Sequence, residues 1–188
     1  MSDHVRLSYW LRGFTAENML GSLDAALRCL PVSRLAPALS LKIYAIEFSE
    51  PAMVERVFED PVDLEEVIAA AGEFLNPDCA YQVDAFWDLW QWKGDWALRP
   101  AAVSLVCFGP LFESEWGEQV QIDFGPDGSF LPAEDMPEGG LAIRSNIRSL
   151  LHLAGDLDQA LAVEKRMLWS DSGENLAERL VERTSAGP

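Results

Sequence analysis

The stretch from Ala80 to Gly109, AYQVDAFWDLWQWKGDWALRPAAVSLVCFG, decides the fold. Two runs rich in valine, leucine and aromatic residues flank Gly94-Asp95, a pair suited to a two-residue turn with glycine first, so the stretch reads as a long β-hairpin. With that turn, paired residues have numbers that sum to 189, and the two faces follow from strand alternation. Tyr81, Val83, Trp87 and Leu89 then share a core face with Leu98, Ala102, Val106 and Phe108. Asp88, Trp90 and Trp92 share the opposite face with Arg99, which falls directly across from Trp90. Four of the seven tryptophans (Trp87, Trp90, Trp92, Trp96) lie in this hairpin, and tryptophans so concentrated mark either a core or a binding surface.

Upstream, Val5, Leu7, Tyr9 and Leu11 alternate with polar residues and predict a half-buried strand. Thr15 is the expected cap of a helix whose Met19, Leu20, Leu23, Leu27 and Leu30 form an apolar stripe, stopped by Pro31. Leu39, Leu41, Ile43 and Ala45 predict a second strand, after which Ile46 and Phe48 take over the apolar parity and call for a bulge or bend. Asp63 and Glu66 form a capping box for a helix carrying Leu64, Val67, Ile68, Ala71, Phe74 and Leu75. Downstream, Gln119 to Phe124 reads as a strand, and Ile147, Leu150, Leu151, Ala154, Leu157 and Leu161 trace a helix. Asp171 and Glu174 cap an expected final helix with Leu176, Leu180 and Val181. The order is β-α-β-α-β-β-β-α-α. The fold class is α+β, with a mixed, largely antiparallel sheet of about five strands, helices mainly on one face, and a ferredoxin-like first half as one possibility. All 188 residues are read as a single domain.

The chain carries a net charge of −17, and the charge is clustered. Nine acidic residues lie between Glu47 and Glu73 against Arg56 alone, and eight lie between Glu113 and Glu138 with no basic residue. Such a field repels phosphates and anionic lipid, so nucleic acid and membrane surfaces are excluded as expected partners and a basic protein is favoured. No apolar run of the roughly 20 residues needed for a membrane helix occurs, and no signal-peptide core follows Met1. Cys29, Cys79 and Cys107 are odd in number and widely spaced, which fits reduced thiols in a cytoplasmic protein. Cys79 and Cys107 fall on opposite faces of the expected hairpin and are not expected to bridge.

Catalytic patterns are sparse. Asp84 and Asp88 share a face but lie about 13 Å apart at 3.3 Å per residue, too far for a carboxylate pair. His152 and Asp156 form an i, i+4 pair without a third ligand, so no metal is expected, and His4 is placed near a loose terminus. Arg144 and Arg148 are a weak anion-binding signal at a helix start. No phosphate loop, dinucleotide fingerprint or nucleophile elbow is present, and no cofactor is expected. Two functions remain. The first is a non-catalytic acidic protein that binds a basic protein partner through a surface including Glu65, Glu66, Glu113 and Glu115. The alternative is a small-molecule-binding domain or enzyme that uses Asp88, Trp90, Trp92 and Arg99 on the hairpin.

Overall fold

The computed structural model describes residues 3–131 and 139–171, together with Leu176 and Leu180. In chain order the elements are β1 (His4–Leu11), α1 (Met19–Cys29), β2 (Ala38–Ala45), β3 (Val54–Glu59), α2 (Leu64–Gly72), β4 (Cys79–Trp92), β5 (Trp96–Phe108), β6 (Val120–Pro126), a short 3-10 turn (Asp127–Ser129), α3 (Gly140–Ala160) and β7 (Val163–Ser170). All seven strands join one sheet in the order β3-β2-β4-β5-β6-β1-β7, and every neighbouring pair is antiparallel. The α+β class therefore holds, with seven strands rather than about five. The two unforeseen strands, β3 and β7, are the two edges of the sheet. Their charged residues, Glu55, Arg56 and Glu59 in β3 and Glu164, Lys165 and Arg166 in β7, interrupt the alternation that marks an inner strand. Three strands separate β1 from β2, so the first half is not ferredoxin-like.

Helices α1, α2 and α3 pack on one face. Val5, Leu7, Tyr9, Leu39, Leu41, Ile43, Tyr81, Val83, Leu105 and Ile122 project from the strands into a single apolar cluster with Met19, Leu23, Leu27, Val67, Ile147, Leu150 and Leu157 from the helices. Helix α1 begins at Met19 after Asn18 rather than from a Thr15 cap, whereas Asp63 caps α2 as expected by accepting the Glu65 amide at 2.9 Å. In α3 the buried stripe runs through Leu153, and Leu151 is exposed. Leu176 and Leu180 are helical and buried, in keeping with the expected final helix, while Glu174 and Val181 lie outside the described residues.

The hairpin register corrects the sequence reading. Trp92 pairs with Trp96, so the turn is the three-residue Lys93-Gly94-Asp95, with Gly94 at φ 93° and the Lys93 amide donating to the Asp95 carbonyl at 3.2 Å. Paired numbers thus sum to 188, as in Tyr81 with Cys107 and Val83 with Leu105. One extra turn residue exchanges the two faces of the second arm. Arg99 stands beside Leu89 on the helix side and pairs with Asp95 at 2.7 Å. Leu98, Pro100, Ala102 and Ser104 face away from the helices. Cys79 and Cys107 share the core face and are both free, so an opposite-face argument does not explain the absence of a bridge. Burial pushes the Cys107 thiol up to about 12, which makes it unreactive.

Trp87 is 5% exposed and packs on Phe124 with ring centroids 5.6 Å apart. Trp87→Ala is expected to lower the unfolding free energy by about 3–5 kcal/mol, as for a large buried aromatic. Removal of the exposed Arg99–Asp95 pair by Arg99→Ala should cost under about 1 kcal/mol. Urea midpoints of the two variants check this, and similar losses would contradict the assignment of faces.

Candidate functional site

Among the described residues, nothing covers the middle of the sheet face opposite the helices, and a cross-strand row with a polar centre runs over it. Strand pairing places Val57, Ser40, Asp84, Ser104, Asp123, Arg6 and Trp169 side by side on β3, β2, β4, β5, β6, β1 and β7. Cross-strand neighbours of this kind lie about 5 Å apart, so each interacts mainly with the next strand. Asp84 accepts hydrogen bonds from Gln82 Nε2 at 2.7 Å, Ser104 Oγ at 2.8 Å and Lys42 Nζ at 2.9 Å. Burial pushes its carboxyl up, but the bonds from Gln82, Lys42 and Ser104 outweigh that effect and hold it below the usual carboxylate value.

Asp123 is the second anchor of the row. A bulge sits between β1 and β6, since His4 pairs with Pro126 while Arg6 pairs with Asp123. Gly125 provides it with φ 72°, a conformation glycine adopts without a side-chain clash, and its amide donates to Asp123 Oδ1 at 2.7 Å. The extra residue brings His4 as well as Arg6 onto one carboxylate: His4 Nδ1 lies 3.0 Å from both oxygens and Arg6 Nε donates at 3.1 Å. His4 thus belongs to a paired strand, not to a loose terminus. Arg6 also pairs with Asp171 and lies 4.9 Å from the centre of the Trp169 ring. Asp84 and Asp123 stand two strands apart, about 10 Å. Asp84 and Asp123 each already accept several donors within the chain. Strand alternation in β1 could have shown that His4 and Arg6 share a face; their meeting on Asp123 depends on non-local pairing.

The hairpin residues singled out from sequence do not form one site. Asp88 accepts from Ser33 Oγ at 2.5 Å and from the Arg34 amide at 2.8 Å, so it fastens the chain leading into β2. The Trp90 amide donates to Asn146 Oδ1 and its carbonyl accepts from Asn146 Nδ2, both at 2.9 Å, which ties β4 to α3. Trp92 packs on Trp96 with ring centroids 5.9 Å apart. Arg99 is on the other face, as described above. His152 and Asp156 stand 3.7 Å apart on α3 with the His152 side chain 83% exposed. Among the described residues, no group of three or more His, Cys, Asp or Glu side chains is arranged to hold a metal ion, and no helix is long and apolar enough to cross a membrane.

The acidic residues divide in two. Glu65 and Glu66 open α2 in the helical layer, at the end of the sheet where β3 finishes. Glu113 and Glu115 lie on the β5–β6 loop, at the end where β3 begins and β5 finishes. These four residues do not share a surface. Others do: the Phe48 ring meets Phe112 at 5.0 Å, Tyr44 at 4.9 Å and Phe108 at 6.0 Å, fastening the loop after β2 to the loop after β5. A second, smaller apolar cluster of Ala80, Val106, Phe108 and Phe112 supports this junction. On these two loops Ile46, Met53 and Leu111 are exposed, as are Glu47, Glu50, Glu113 and Glu115. Glu134, Asp135 and Glu138 lie outside the described residues.

Because the Asp84 carboxyl is depressed in the folded chain, its stabilisation is complete above the ordinary value near 3.9 and is lost as pH falls through the lower folded value. Asp84→Asn should therefore lose about 1.5–3 kcal/mol at pH 7, the range for hydrogen bonds to a charged group. It should also show a shallower fall in stability below about pH 4 than the parent chain. Urea unfolding between pH 2.5 and 7 measures both, and parallel acid limbs would exclude the assigned role. No family model matches the chain, and neither a curated protein nor a solved structure shows significant similarity to it.

Proposed function

We propose that the protein is a non-catalytic interaction protein that presents the acidic, apolar-centred end of its sheet to a basic protein partner. The observation that carries this reading is the Phe48–Phe112 contact, which joins the starts of the two acidic segments into one surface. An apolar centre with a charged rim is the usual anatomy of a protein interface, where the rim steers encounter and the centre slows dissociation. Leu111 is 70% exposed and Ile46 67% exposed. Trp116, on the same loop as Leu111, is 55% exposed and is of a residue type enriched among interface anchors.

The backbone at Ile46 supports the same reading. Ile46 has φ 70°, the left-handed region, which is a true outlier for a β-branched residue and costs about 1–3 kcal/mol. Its amide is held by the Asp78 carbonyl at 2.9 Å, so the surrounding loop enforces the conformation. Glycine would adopt it without strain, and an exposed isoleucine there contributes apolar surface instead of stability.

Two variants separate binding from folding. Reversal of Glu47, Glu50, Glu113 and Glu115 to Lys should abolish capture of a basic protein from lysate of the native cell, with the captured protein identified by mass spectrometry. Reversal of Glu55, Glu59, Glu65 and Glu66 makes the same change in net charge and should preserve capture. Ile46→Gly should leave stability unchanged or raise it by up to about 1 kcal/mol through relief of strain, yet speed dissociation of that captured protein. Equal capture by both charge-reversed variants, or capture that persists unchanged in high salt, would refute the proposal.

A further inference from the structure

A trough of about 470 Å³ lies on the face of the sheet opposite helices α1, α2 and α3, away from the acidic end. It exists because the positions that face it on β2, β5 and β6 are small, namely Ala38, Ser40, Ala102, Ser104 and Gly125. Phe86, 40% exposed, and Val57, 64% exposed, stand at its sides, and His4 and Asp123 border it on the β1–β6 side. The volume falls within the range of about 300–1,000 Å³ typical of small-molecule sites, which are mostly apolar with a few placed polar groups.

The charges around the trough define what it accepts. Asp84 is met by Lys42 at 2.9 Å and Asp123 by Arg6 at 3.1 Å, so each carboxylate is already paired within the chain. An ionic ligand would lose hydration on entry and find no unpaired carboxylate among the described lining residues and no lysine or arginine among them, a net cost for either sign of charge. His4 offers something different. In the neutral ring Nδ1–H donates to Asp123, which leaves Nε2 with a lone pair on a side chain that is 42% exposed. We propose that this trough binds an uncharged aromatic small molecule bearing a single N–H or O–H donor, with its ring against Phe86 and Ala102 and its donor on His4 Nε2. This site is separate from the acidic end and stands or falls without it.

The test is titration of the ¹⁵N-labelled protein at pH 8 with indole, 1-methylindole, benzoate and benzylamine. Indole should give saturable shifts at the amides of Ala38, Ala102 and Gly125. 1-Methylindole, which lacks the donor, should bind about fivefold more weakly, the value of one neutral hydrogen bond, and this difference should vanish in His4→Phe. Ala102→Leu fills the trough from an exposed position and should abolish binding; Ala38→Leu fills it from another strand and serves if the first variant does not fold. The proposal is overturned by absence of saturable indole shifts, by indole binding to the filled variants as to the parent, by equal affinity for 1-methylindole, or by benzoate or benzylamine binding as tightly as indole.

Discussion

The pairing of Trp92 with Trp96 across three turn residues sets which way every side chain of the two central strands points. A slip by one residue would turn Val103, Leu105 and Cys107 to solvent and bury Pro100 and Ser104 under the helices. Asn146 fixes this arrangement from outside the hairpin. It is 2% exposed, and its amide serves both peptide groups of Trp90 and the Ser129 carbonyl at 2.8 Å. In an antiparallel strand a residue directs its N–H and C=O to the same side, so Asn146 continues the ladder beyond the start of β2. One buried side chain thus couples the longest helix, the turn after β6 and the central strand. Loss of its partners would leave several buried polar groups without bonds.

With α1, α2 and α3 on one face, the other face must remain compatible with water without inviting unspecific contact. The chain meets this demand with charges that neutralise one another on adjacent strands: Lys42 with Asp84, and Arg6 with Asp123, which His4 also contacts. The exposed Glu47, Glu50, Glu113 and Glu115 stand on loops. A similar economy operates at the β1–β7 side, where Lys165 lies 4.4 Å above the Trp10 ring and Trp116 meets Trp169 edge-on at 6.2 Å. Cations there cover aromatic faces that would otherwise form a bare apolar patch. The surface is therefore differentiated, with a neutralised centre and a negatively charged end.

The inner strands and helices were legible because each buries one side and therefore repeats with its own period. Val5, Leu7 and Tyr9 in β1, and Val67 and Ala71 in α2, sit where their spacing placed them. The edge strands were not legible. In β3, Arg56 occupies a helix-facing position and pairs at 2.6 Å with Glu73, which caps the end of α2, so a charge stands where an apolar residue would have signalled a strand. The hairpin itself was legible, but its faces turned on whether Lys93 belongs to the strand or to the turn, which local sequence does not determine. That single residue misplaced Arg99. The Asp123 cluster was hidden for another reason: His4 and Asp123 are 119 residues apart, and only the completed sheet joins them.

The position of β1 has a consequence for how the chain reaches this state. Both neighbours of β1 are distant in sequence, Tyr9 pairing with Val120 and Val5 with Ser170. During synthesis, at about 5–20 residues per second, the apolar side of β1 emerges several seconds before either neighbour exists. The β4–β5 hairpin closes locally and can order first, whereas β1 enters a gap between two strands made later. Contacts of such high sequence separation slow folding and lengthen the time for which unpaired strand edges are exposed. The wait of the first strand for its partners is thus a folding cost that the strength of the finished core does not remove.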